Sequence, residues 1–323
     1  MRCLSIAANP TSTRVALGTW LGFGLTPDGR AALLSLAAEP PVLLRTSWEG
    51  KLSTCEVRFH PRRNQVLACP CAPVSREGIA DAEQRVLKSW DLDSGQERTS
   101  SLAGVTGANW NGCEGLRFLP DGGVLIGGIG GVLRLAIPDD ANGAVTGESL
   151  YPAPRARFAM SPDGGQVLVL AGRDPSLDQF QELVLLDLAA RTSRRITTHG
   201  DRLVVAAFDP TGRVIVTGDS DGVVRAGPAT GEEPHLLLGH SKETRAVAVS
   251  PDGRWIATST DDAIYLWPMP DMTKPPLHTL RHDELMAKLG TLTNLRVVPD
   301  PTASTGWKLD IGPFPGWKDV PHW

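Results

Sequence analysis

No stretch of this 323-residue chain approaches the ~20 apolar residues of a membrane span. The opening Met1-Arg2-Cys3-Leu4 lacks the long apolar segment of an export signal. Five cysteines are an odd number without regular spacing, which excludes a disulfide scaffold and fits reduced thiols in a cytoplasmic protein. A net charge of −4 gives no electrostatic grip on nucleic acid or anionic lipid. The chain also has no His-Glu-x-x-His helix, no nucleophile elbow and no paired carboxylates. Gly127-Gly128-Ile129-Gly130-Gly131 lacks the Lys-Ser/Thr that completes a phosphate loop, and it reads as a turn between apolar strands. Cys69-Pro70-Cys71 places two thiols too close for the usual zinc clip, so neither metal nor cofactor is expected.

What the chain has in quantity is turn chemistry, with 34 glycines and 26 prolines. Much of it falls in a repeated phrase: a short apolar strand, then Pro, Asp or a similar residue, and Gly. It reads Ser-Pro-Asp-Gly-Arg at Ser250–Arg254, Ser-Pro-Asp-Gly-Gly at Ser161–Gly165, Asp-Pro-Thr-Gly-Arg at Asp209–Arg213 and Leu-Pro-Asp-Gly-Gly at Leu119–Gly123. Weaker copies stand at His60-Pro61-Arg62 and Asn9-Pro10-Thr11. The prolines at 10, 61, 120, 162, 210 and 251 are 51, 59, 42, 48 and 41 residues apart. A period in that range marks an array of supersecondary units, and it points towards binding rather than chemistry.

The last unit reads most clearly. Thr244–Ser250 alternates apolar and polar residues as a half-buried strand does. Pro251-Asp252-Gly253 makes a tight turn, Trp255–Ser259 and Ile264–Trp267 supply two more strands, and Leu277–Leu280 is expected as the fourth. In the first unit, Leu4–Ala8, Gly29–Leu36 and Val42–Arg45 are expected as the first, third and fourth strands. Gly239-His240 precedes the first strand of the sixth unit, with Asp261 in its turn and Trp267 at the end of its third strand. The second unit carries Trp90-Asp91 before the turn Asp93-Ser94-Gly95, whereas the fifth has Gly227 where Trp is expected.

These residues resemble the WD40 repeat over roughly residues 1–280. The resemblance implies an all-β fold, a WD40-type β-propeller of four-stranded antiparallel blades. Six repeats are countable, and the spacing left in the tail favours seven blades. It also implies a structural hydrogen-bonded network of His240, Ser259 or Thr258, Asp261 and Trp267, with Trp90 and Asp91 as its counterparts in the second unit. None of these residues is expected to be catalytic. Residues 281–323 are read as a tail packing on or closing the propeller. Asp283–Leu295 has helical spacing, Asn294–Val298 and Gly306–Gly312 look like strands, and the Trp/Pro-rich end includes Phe314, Trp317 and Trp323. This ending is similar to that of bacterial WD40-repeat proteins often fused to Ser/Thr protein kinases. The chain itself has no His-Arg-Asp loop and no Asp-Phe-Gly, so a kinase would have to lie elsewhere in a longer polypeptide.

The repeat also shows which connections are elaborated. Pro70–Arg85 and Gly172–Glu182 each join a second to a third strand, and Gly104–Glu114 joins a fourth strand to the next blade. In an antiparallel meander these two connection types emerge at one end, where long loops commonly carry function. Pro138–Gly147 emerges at the other. The expectation is a non-catalytic platform for a protein or peptide, monomeric, with Trp20, Trp48, Arg76, Trp110 and Phe180 as its contacts. The alternative is a propeller enzyme or small-ligand binder using the central channel.

Overall fold

The repeated Pro-Asp-Gly phrase closes the same turn wherever it is seen. In the computed structural model, Gly164, Gly212 and Gly253 donate their N–H to Ser161, Asp209 and Ser250 at 2.9, 3.0 and 2.8 Å. Their φ values of 72°, 71° and 70° lie in the left-handed region, which a residue with a Cβ enters only at a cost. The residue before the proline fixes the strand that follows. Asp209 Oδ1 accepts from Arg213 N at 2.9 Å and Val214 N at 2.8 Å, and Ser250 Oγ accepts from Trp255 N at 2.9 Å. Each turn joins the first strand of a repeat to its second.

The structure describes residues 2–8, 14–20, 31–35, 42–47, 53–71, 86–102, 105, 111–138, 144–172, 179–292 and 295–311. The chain divides into two compact units, Met1–Arg195 and Ile196–Trp323.

In the first unit, β1 (Arg2–Ala8), β2 (Arg14–Trp20), β3 (Ala31–Ser35) and β4 (Val42–Ser47) form an antiparallel sheet in chain order. The second sheet repeats that order with β5 (Ser53–Phe59), β6 (Gln65–Cys71), β7 (Val86–Asp91) and β8 (Glu97–Ser101). A larger sheet holds β9 (Asn111–Phe118), β10 (Val124–Ala136), β11 (Thr146–Met160), β12 (Gln166–Gly172), β13 (Glu182–Asp187) and β14 (Thr192–Ile196). Two of its strands serve twice. The first half of β10 pairs with β9 and its second half with β11, the halves meeting at Gly130 and Gly131 with φ of 104° and 110°. β11 pairs with β10 through Arg155 and with β12 from Arg155 onward, so its last residues are the first strand of the fourth repeat. Neighbouring repeats meet through apolar faces such as Leu125, Val132, Ala156, Phe158, Val167 and Val169, all buried.

In the second unit, β15 (Leu203–Phe208), β16 (Val214–Asp219), β17 (Val224–Pro228) and β18 (His235–Leu237) form one sheet. The next has three strands, β19 (Ala246–Val249), β20 (Trp255–Ser259) and β21 (Ile264–Pro268). Leu277–Leu280 is not a fourth strand. Leu277–Thr279 is a short 3-10 helix, with Pro276 O accepting from Thr279 N at 2.9 Å. Pro275 and Pro276 have no N–H for a ladder, and the chain turns instead of pairing. The expected helix is α1 (His282–Leu292), with Asp283 and Glu284 in its first turn, where carboxylates favour the helix dipole. The two expected tail strands are β22 (Leu295–Pro299) and β23 (Trp307–Ile311), an antiparallel pair. The tail aromatics Phe314, Trp317 and Trp323 lie outside the described residues. Among the described residues no helix is long and apolar enough to cross a membrane.

Candidate functional site

Along the first strands of the second, third and fourth repeats, side chains alternate between a buried apolar face and a charged one. Val57 lies between Glu56 and Arg58 in β5, and Ala156 between Arg155 and Arg157 in β11; both apolar residues are fully buried. In β9 the pairing skips from Gly115 to Cys113, which leaves Glu114 as the extra residue of a bulge. Bulges re-aim side chains, and this one turns a carboxylate towards the neighbouring strand.

The result is a row of ion pairs between successive repeats. Glu56 pairs with Arg58 at 2.8 Å on its own strand and with Arg117 of β9 at 3.7 Å. Glu114 accepts from Arg157 Nε at 2.9 Å and also from Arg155 Nε, both on β11. The two guanidinium carbons lie 5.7 Å (Arg155) and 5.4 Å (Arg157) from the ring centre of Phe180, within cation–π range. Beside them Tyr151 donates to Glu182 at 3.2 Å, and Arg195 stands 3.6 Å from that carboxylate. Burial and the Glu182 charge raise the Tyr151 hydroxyl above its ordinary pKa, so it remains a donor at neutral pH.

Of this row, Glu114 and Arg155 stand at the end of the sheets where the elaborated connections leave, whereas Arg58 and Arg117 lie towards the turns at Pro61 and Pro120. Arg155 pairs with Gly172, the last residue of β12 before the 173–181 connection, and Glu182 opens β13 on its far side. The strand order confirms that Pro70–Arg85 joins β6 to β7, Gly172–Glu182 joins β12 to β13, and Gly104–Glu114 joins β8 to β9.

Of the five residues expected as contacts, Phe180 is fully buried, because its ring forms the floor beneath Arg155 and Arg157. It is a support and not an exposed contact. Trp20 is the last residue of β2, and its side chain lies outside the described residues. Trp48, Arg76 and Trp110 also lie outside them. The sequence reading missed Glu114, Arg155, Arg157, Tyr151 and Glu182. The available signal was charge on the strands leading into Pro61, Pro120 and Pro162, where the last two repeats have apolar runs.

The structural network of the sixth repeat is centred on Thr258. Its Oγ1 lies 2.6 Å from His240 Nε2 and accepts from Trp267 Nε1 at 2.7 Å. Ser259 is excluded by alternation, since it pairs with Ile264 on the opposite face of the sheet. Asp261 is not part of the chain either; it takes Arg245 Nε at 3.1 Å in an exposed pair. In the second repeat Trp90 Nε1 donates instead to Glu97 of β8 at 2.9 Å. Asp91 Oδ1 accepts from Ser94 N at 2.7 Å and Asp93 N at 3.1 Å, bonds that hold its carboxyl below the usual range.

The fifth repeat keeps half of this chain. His199 Nδ1 lies 2.9 Å from Thr217 Oγ1, at the same 18-residue separation as His240 and Thr258 but through the other ring nitrogen. No tryptophan follows, because a Cβ at Gly227 would stand 2.8 Å from Pro234 Cβ and 3.3 Å from His199 Nε2. Pro234 fills that space. The buried His199 ring is pushed down to about 3, first by burial and then by the Arg225 charge, and it stays neutral.

Among the described residues, no group of three or more His, Cys, Asp or Glu is placed to hold a metal. The WD domain, G-beta repeat family matches at residues 191–226 and 231–268. No curated protein sequence matches. The fold is similar to Chaetomium thermophilum Sqt1, crystallised bound to the N-terminus of the ribosomal protein L10, with a TM-score of 0.59 and 17% identity over 82% of this chain and 71% of that one. The chain therefore carries WD40 repeats and has the fold of a WD40 β-propeller.

Proposed function

We propose that this chain is a non-catalytic platform that captures a protein or peptide at the end of the blades bearing its long connections. The observation that supports it most is topological: three elaborated connections leave from one end of the sheets of the first unit, the end at which Glu114 of β9 and Arg155 of β11 stand. Rigid strands carrying long loops are the usual construction of a recognition surface. Sqt1, which shares the fold, was crystallised with a peptide segment of another protein, and a segment of that kind fits this reading. The reading includes a monomeric cytoplasmic protein, with a kinase domain elsewhere in the polypeptide if the chain is part of a longer one.

Trp110, in the β8–β9 connection, is the best single probe, because tryptophan supplies large contact area at interfaces. Affinity capture from the source cell should recover a partner with the wild type and lose it with Trp110→Ala, at an unchanged melting temperature. A large fall in melting temperature, or capture indifferent to the substitution, would count against the platform at this end.

A further inference from the structure

We propose that the β22–β23 hairpin is a strap that docks its apolar side on the free face of the sixth-repeat sheet, in the place a seventh blade would take. A sheet inside a stack is covered on both faces, and its strands read as unbroken buried runs. Strands β12, β13 and β16 do so, with six, four and five consecutive buried residues. In the sixth repeat β20 instead alternates, with Ile256 and Thr258 buried and Trp255, Ala257 and Ser259 more open. The register sets Ala248, Ala257 and Leu266 side by side on that open face, flanked by Trp255 and Ile264. Ile264 is 79% exposed and Leu266 68%. The opposite face, with Val247, Val249, Ile256 and Trp267, packs against the fifth repeat. Strand β21 is also an edge: among the described residues nothing flanks it as β8 flanks β7 and β18 flanks β17.

The hairpin carries the matching surface. Val297 faces Leu309 across the pair and Pro299 faces Trp307, so these four lie on one side. Val297 is 64% exposed, Leu309 72% and Trp307 54%. Lys308 and Asp310 alternate with them onto the other side. A two-stranded ribbon is marginal in water by itself, and one with an apolar side gains most by burying it. The occupant is this hairpin rather than a separate partner because it belongs to the same compact unit, Ile196–Trp323, and the chain ties it to β21. Residues 269–294 have the reach: α1 alone spans about 16 Å, against the ~10 Å between packed sheets. A tether of this kind holds the hairpin at an effective concentration on the order of millimolar, above what a free partner supplies. Both surfaces face solvent in the arrangement described, and docking buries both at once. A strap over this face keeps an open apolar sheet from pairing with other chains.

The test is hydrogen–deuterium exchange of the full chain, read at the β22–β23 amides, with exchange at 203–228 as the folding control. The wild-type hairpin should exchange more slowly than an unstructured peptide. Leu266→Asp, remote from the hairpin in sequence, should speed that exchange by about tenfold or more, the order expected when a buried leucine is lost from the opening equilibrium. Leu309→Asp should do the same from the other side and also speed exchange at 264–268. The double variant should add nothing further, because each substitution breaks the same contact. Unprotected hairpin amides in the wild type, or protection indifferent to Leu266→Asp with 203–228 intact, would overturn the inference. Protection that weakens on dilution would overturn it in favour of a second copy as occupant. If Leu266→Asp also unsettles 203–228, Leu309→Asp decides: faster exchange at 264–268 supports docking, and no change there refutes it.

Discussion

The two units satisfy their polar side chains in different ways. In the second unit a histidine before the first strand is paired with a strand threonine, as His199 with Thr217 and His240 with Thr258, and Trp267 completes the chain once. In the first unit glutamates on one repeat grip arginines on the next. The matched family repeats fall at 191–226 and 231–268, almost wholly in the second unit. Where the repeat follows its family pattern its polar groups are spent on structure. Where it departs, the first strands carry paired charges. The departure is thus the better guide to function.

The contrast is sharpest at Phe180, which supports the charged row yet sits in a connection. Phe180→Ala should cost about 3–5 kcal/mol in urea unfolding, the usual range for a buried aromatic. A stability within ~0.5 kcal/mol of wild type, as for an ordinary surface change, would make it a loop contact and undo the floor assigned to it.

In the second unit, Thr258→Val removes the partner of both Trp267 and His240, while Thr217→Val removes the partner of His199 alone. The first should cost about 2–3 kcal/mol and the second about 1–2, since each orphaned buried polar group is penalised. Equal losses would mean that Trp267 adds nothing to the network.

The smallest effect at neutral pH, and one that grows with acid, comes from His199. Its folded pKa of about 3 lies below the ordinary 6.5, so the unfolded chain binds the extra proton. The stabilisation is full above pH 6.5 and is lost as pH falls from 6.5 towards 3, about 2 kcal/mol of it by pH 5. His199→Gln should flatten that part of the stability profile; an unchanged profile would show that another group governs it.

Much of the fold was legible because turns and alternation are local. The Pro-Asp-Gly phrase located the first hairpins, and Trp255–Ser259 matches β20 residue for residue. Leu277–Leu280 misled because it was assigned to the vacant fourth-strand place without weighing the two prolines just before it. Alternation also separates Thr258 from Ser259 once the register with β21 is known, but not before. The charged row was the least legible part. It joins residues on three strands, depends on a bulge at Glu114, and uses a connection residue, Phe180, as its floor. None of those three is written in a local period.

The most direct test of the central claim is hydrogen–deuterium exchange of the full chain with and without the partner recovered by affinity capture. Slowed exchange should be confined to segments covering 102–118 and 153–182, with 203–208 and 246–249 unchanged. Protection at the first strands of the second unit, or no protection in the first, would contradict the assignment of recognition to the end of the first unit that bears the elaborated connections.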